Sequence, residues 1–203
     1  MLSKLVKEAS QEAHHAAERN PFMIALMRGE IGTEAYSDYL TQLAAIYEAL
    51  EKWDDRSNPW PMFDRRLDRF ERIVCDIESI GSIYHLVCNK TIEYAAHINS
   101  LVQAKDWTRL LAHHYTRYLG DLSGGQAIAS LVTRNLMIPP NFLSFYEFDS
   151  IGDKVRYKET YREGLDSLDF SDEQVEIFIQ EVIKSFEFNQ AIFTELGKRW
   201  LTN

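Results

Sequence analysis

Lys7, His14 and Glu18 are seven and four residues apart, so on a helix they share one face. A carboxylate one turn from an imidazole accepts its N–H, fixes the tautomer and leaves the other ring nitrogen for a metal. Lys7 then lies about 10 Å along the axis, within reach of an acid at the rim of a flat, metal-centred ligand. The same residues also read as a surface ion pair. His15, about 100° around the helix, competes for the ligand role.

A second group lies in YTRYLGDLSGGQAIASLVTR, where Gly120, Gly124 and Gly125 interrupt strongly helical flanks. Each helical glycine costs about 1 kcal/mol relative to alanine. Gly120 and Gly124 are four apart, so backbone without side chains would be bared on one face, able to approach a flat ligand and flex over it. A break between two helices, or close helix packing, is the alternative. LSGGQ at Leu122 to Gln126 matches the signature loop of ATP-binding cassette ATPases, but no GxxxxGK[ST] loop accompanies it, so a phosphate site is excluded. Glu12 and His15 form a single E-x-x-H, whereas a di-iron bundle needs two, and Glu93 and His97 are four apart. His85, His97, His113 and His114 have no carboxylate spacing that marks them as ligands.

Helices must position these groups. All five prolines fall at Pro21, Pro59/Pro61 and Pro139-Pro140, and the stretches between carry helical periodicity without strand alternation. The pattern predicts helices over Leu2 to Arg19, Phe22 to Arg28 and, with Thr33 as N-cap, from Thr33 to about Asp54. Further helices are predicted at Phe63 to Ile77, with an exposed Arg/Asp face, at Ile83 to Gln103 and at Trp107 to Asn135. A turn at Phe142 to Tyr146 precedes a helix over Asp153 to Leu165 and a last helix beginning after Ser171, where Asp172 and Glu173 suit a helix start. The expected fold is an all-α, single-domain bundle of about eight helices over residues 1–203, its glycine-bearing helix kinked.

The chain of 203 residues carries a net charge of −9, which disfavours binding to a phosphate backbone. No apolar leader and no run of about 18 apolar residues is present, and Cys75 and Cys88 form no framework. A soluble cytoplasmic protein is expected.

Four segments resemble the heme oxygenase family: KEASQEAHHAAERNPFM at Lys7 to Met23, RYLGDLSGGQ at Arg117 to Gln126, YKETYREGLDSL at Tyr157 to Leu168, and FEFNQAIFTEL at Phe186 to Leu196. The resemblance implies a soluble, bacterial-type enzyme that opens heme with O2 and electrons to biliverdin, carbon monoxide and ferrous iron. Heme would be substrate and oxygen-activating cofactor together, sandwiched between the first helix and the glycine-bearing one. By the same resemblance His14 is the iron ligand and Glu18 its partner. Gly120 and Gly124 pack on the heme, Asp121 orders distal water, and Tyr47 and Arg117 belong to its hydrogen-bond network. Lys7, Tyr115, Lys158 and Arg162 surround the propionates, with Lys158 and Arg162 favouring attack at the α-meso carbon. Asn189, Phe186 and Phe193 match pocket and packing positions. The implied electron donor is a ferredoxin or an NAD(P)H-dependent flavoprotein reductase. A non-catalytic heme-binding or transfer protein is the alternative, and a helical-bundle enzyme acting on small polar substrates is a third reading.

Overall fold

Local signals set most helix ends in the computed structural model, which describes residues 1–53, 60–81 and 85–201. Helix α1 runs Leu2–Glu18 and α2 runs Pro21–Arg28. Asn20 Oδ1 accepts the Phe22 N–H at 3.0 Å, and Pro21 takes the first helical position, where its missing N–H costs nothing. Gly29 ends α2 at φ 72°, and a Cβ there would lie 2.6 Å from the Asn135 carbonyl oxygen, so both conformation and close approach require glycine. Helix α3 spans Thr33–Glu51. Its cap position is Gly32, so Thr33 is the first helical residue rather than the expected N-cap. The helix ends at Glu51 with Lys52 as its C-cap, short of the predicted end near Asp54, which itself lies outside the described residues.

The predicted helix at Phe63 to Ile77 is replaced by a 3-10 turn, Arg65–Leu67, and helix α4, Phe70–Ile80. Its charges are not all on a solvated face. Arg69 is buried, donating to the carbonyls of Leu67 at 2.9 Å and of Glu147, and buried Asp76 accepts the N–H groups of Ser144 and Phe145, both at 2.8 Å. These bonds fasten α4 to the 3-10 turn Ser144–Tyr146 and to Glu147 just after it; the 3-10 turns Pro140–Phe142 and Asp149–Ile151 flank that segment. Helix α5, Asn89–Ala104, starts later than predicted, with residues 82–84 undescribed.

The predicted Trp107 to Asn135 helix consists of α6, Trp107–His114, a π turn, Tyr115–Leu119, and α7, Gly120–Leu136. The irregularity thus precedes the glycines, and Gly120 is itself helical at φ −60° and ψ −53°. Helix α8, Lys154–Asp166, is capped by Asp153. Helix α9, Asp172–Trp200, opens on a capping box of Ser171 and Gln174. The described residues are all-helical, without strands.

Helix α9 is the spine, packed against α1, α2, α3, α5 and α6. One core cluster gathers Phe22, Tyr36, Tyr47, Phe145 and Phe193; a second gathers Val6, Leu111, Tyr161, Leu165 and Phe178. Phe186, Phe63 and Tyr157 pack against both.

Candidate functional site

Helix α1 buries Leu2, Val6, Ser10 and Ala17, so the face carrying Lys7, His14 and Glu18 is turned outward. Bonds from neighbouring helices hold it in place. Asp166 accepts the Ser3 N–H and O–H, each at 2.7 Å, and Gln190 Nε2 donates to the Ala13 carbonyl at 3.1 Å, one residue before His14. The His14 side chain is 50% exposed, its Nδ1 lies 3.6 Å from Glu18 Oε2, and its ring meets Phe186 edge-on at 5.5 Å. One ring nitrogen is therefore turned to the carboxylate and the other is left for a ligand.

Helix α1 leans on α8 and α9, whereas α7 leans on α2 and the 3-10 turns. A hollow of about 360 Å³ between them is lined by Glu18, Met23, Met27, Leu131 and Arg134. A Cβ added at Gly120 or Gly124 would meet nothing within 4 Å, whereas one at Gly125 would lie 3.1 Å from the Tyr146 ring. The first two glycines bare backbone to open space; the third faces the Tyr146 ring.

Beside that bare face, four residues from four elements form one network. The Tyr47 hydroxyl donates to Asp121 Oδ2 and accepts from Arg117 Nε at 3.3 Å. Arg117 Nη1 donates to Asn189 Oδ1 at 2.6 Å, and Asn189 Nδ2 donates to the Ser185 carbonyl at 2.8 Å. Burial pushes the Asp121 carboxyl up to about 6, against the opposing pull of Arg117 and the Tyr47 hydrogen bond. Burial also raises the Tyr47 phenol well above its ordinary range, so it remains a donor.

At the other end, burial raises the Tyr115 phenol while Arg162 opposes it, and Lys158 Nζ lies 3.4 Å from Ser123 Oγ, joining α8 to α7. Lys7 and Arg162 are exposed. The structure thus brings together Tyr47, Arg117, Asp121 and Asn189, and separately His14, Glu18 and Phe186. Phe193 belongs to the interior, stacked on Phe22 at 6.4 Å and packed on Tyr39.

Sequence reasoning missed Arg69, whose charge also lowers the Asp121 carboxyl, and Glu51, which accepts the N–H groups of Arg69 and Phe70 at 2.6 and 2.9 Å and the Tyr118 hydroxyl at 2.8 Å. Burial pushes Glu51 up to about 7 despite those three bonds. Neither residue has a local spacing signal, because their partners lie on other elements.

The arrangement fits a flat metal-centred ligand: an exposed imidazole with a carboxylate partner, an open glycine face, an acid of raised pKa and cations from α1 and α8. The heme oxygenase family model matches residues 1–195. A heme oxygenase 2 of Rattus norvegicus is 33% identical over 97% of this chain, which spans 66% of that relative's length. A heme oxygenase of Guillardia theta is 30% identical, with 97% of this chain and 86% of that one covered. Among solved structures, heme oxygenase-1 from the cyanobacterium Synechocystis sp. PCC6803 in complex with heme superposes with a TM-score of 0.90 at 26% identity, covering 98% and 93% of the two chains. Heme oxygenase from Leptospira interrogans gives 0.86 at 31% identity, covering 96% and 98%.

Proposed function

The chain belongs to the heme oxygenase family, and we propose that it opens heme with O2 and external electrons to biliverdin IX-alpha, carbon monoxide and ferrous iron. The observation that carries this reading is the open glycine face of α7 set against a half-buried acid, Asp121, whose proton is held up to about 6. A protein that only carried heme would have little use for such an acid.

Heme, when bound, supplies both the iron that activates O2 and the ring that is cut. His14 is the iron ligand, and Glu18 orients its ring. The Gly120 and Gly124 backbone lies against the porphyrin face, where a side chain would intrude. Asp121 holds a distal water and passes a proton through it. The Tyr47 hydroxyl and buried Arg117 fix that carboxylate, and Asn189 fixes Arg117. Lys7, Tyr115, Lys158 and Arg162 hold the propionates; their placement sets the ring's rotation and favours the α-meso carbon. Phe186 packs against the ligand-bearing imidazole, and Phe193 supports the pocket from the core.

The electron donor is a ferredoxin or an NAD(P)H-dependent flavoprotein reductase, and residues 1–203 form one heme oxygenase domain, a reading supported by side chains that bridge the two core clusters. No described helix is long and apolar enough to cross a membrane. A cytoplasmic location is consistent with the free thiols Cys75 and Cys88.

Purified protein given heme, a reductant and O2 should lose the porphyrin absorption and yield CO and one bilin isomer by chromatography. A stable heme complex under those conditions overturns the proposal. Asp121→Ala should keep heme binding and lose most biliverdin; an unchanged yield would remove Asp121 from the proton path.

A further inference from the structure

Earlier along α9, a carboxylate meets two imidazoles from two other helices. Glu181 Oε1 lies 2.5 Å from His97 Nε2 of α5 and 2.9 Å from His113 Nε2 of α6. His113 is fully buried, Glu181 nearly so, and the His97 side chain is 19% exposed. We propose that His97, His113 and Glu181 form a binding site for a transition-metal dication, Zn2+ foremost, separate from the heme site.

The donor set is the chemical argument. Two imidazole nitrogens and one carboxylate oxygen form a known zinc ligand set, with a fourth position left for water. The three donor atoms all lie within 4.8 Å of one another. With metal–ligand bonds of about 2.0–2.1 Å, tetrahedral donors stand roughly 3.3 Å apart, so the site has to open by less than about 1 Å. The partners needed around the ligands are in place. His113 Nδ1 is hydrogen-bonded to the Tyr94 hydroxyl at 3.0 Å, which in turn contacts Ser185 Oγ at 2.8 Å, and this chain can fix the tautomer that offers Nε2. Arg109 Nε lies 3.5 Å from the other carboxylate oxygen, Glu181 Oε2, and can orient it from outside the coordination sphere.

Charge is the opposing consideration. Lys184 Nζ lies 3.9 Å from Glu181 Oε1, but its side chain is 44% exposed and can turn into solvent when a dication replaces it. Without metal, one carboxylate oxygen serves two imidazole nitrogens.

The test uses the full chain, heme-free and heme-loaded, titrated with Co2+ as the spectroscopic probe and with Zn2+ in competition. The expected result is one ion per chain, visible-region bands of a four-coordinate Co2+ site, and a Tm that rises with Zn2+ concentration. His97→Ala, at the most exposed of the three positions, should weaken binding at least ~100-fold, and Glu181→Gln likewise. A double variant, His14→Ala with His15→Ala, should leave these bands unchanged, which separates this site from the exposed His14, His15 and Glu18 group. Absence of Co2+ binding, wild-type binding by His97→Ala, or loss of the bands only in the α1 double variant would each overturn the proposal. If Glu181→Gln does not fold, His97→Ala decides alone.

Discussion

The two walls of the proposed heme site are built by opposite means. On α1, His14 and Glu18 stand exposed one helical turn apart, and the helix that carries them is pinned through its backbone by Gln190 and by the Ser3–Asp166 bonds. On the other wall, Tyr47, Arg117, Asp121 and Asn189 come from α3, the π turn, α7 and α9, and they hold one another. The first wall needs only a correctly placed helix. The second needs the whole fold, because every polar group taken from water there must find its partner across the core. Function and stability should therefore separate on α1 and be entangled in the network.

The largest expected effect tests the α1 side. His14→Ala should abolish the native iron coordination spectrum and lower turnover at least ~100-fold, while the unfolding free energy moves by no more than the roughly 0.5 kcal/mol typical of a surface substitution. His15→Ala should change neither. A large loss of stability in His14→Ala would break the comparison, and a lost spectrum in His15→Ala would move the ligand by one residue.

The network should respond differently. Tyr47→Phe removes the hydroxyl that serves both Asp121 and Arg117, so it should cost about 1–3 kcal/mol in chemical denaturation as well as slowing biliverdin formation. Heme affinity should stay close to wild type. If stability were unchanged, the distal wall would not be the interdependent unit described.

How readily each wall is read from sequence follows the same division. The His14–Glu18 pair, the Asn20-Pro21 boundary and the helix start after Ser171 are legible because their physics is complete within one helical turn. Arg69 reads as part of an exposed charge run, yet it bonds the Glu147 carbonyl 78 residues away. His97 and Glu181 are 84 residues apart and share no pattern. The glycines are legible as unusual, but the irregular turn beside them is not. The π turn comes just before them, and such bulges carry no composition signal comparable to a proline.

The interior also responds to pH. Glu51 is held up to about 7, above its ordinary 4.5, chiefly by burial. The folded state thus binds this proton more tightly than the unfolded chain. The resulting stabilisation is complete below about pH 4.5 and disappears as pH rises through about 7, amounting to roughly 3 kcal/mol at most. Unfolding free energies measured from pH 4.5 to 8 should fall with this slope, and Glu51→Gln should flatten it whatever its own offset. An unchanged slope would mean that the interior behind Tyr118 is wetter than its hydrogen bonds indicate.

The smallest expected effect separates space from flexibility on α7. Gly124 is helical and its missing Cβ would point into the open cleft, so Gly124→Ala should stabilise the heme-free protein by up to about 1 kcal/mol through helix propensity. Heme binding should weaken nonetheless, because the new methyl occupies the surface on which the porphyrin lies. Gly125→Ala is the control: its methyl would meet the Tyr146 ring at 3.1 Å, so in the heme-free chain it should gain less stability than Gly124→Ala or lose some. If Gly124→Ala left heme affinity intact, the glycine face would not be the porphyrin's seat; if it destabilised the heme-free chain, α7 would need backbone freedom at that residue rather than room beside it.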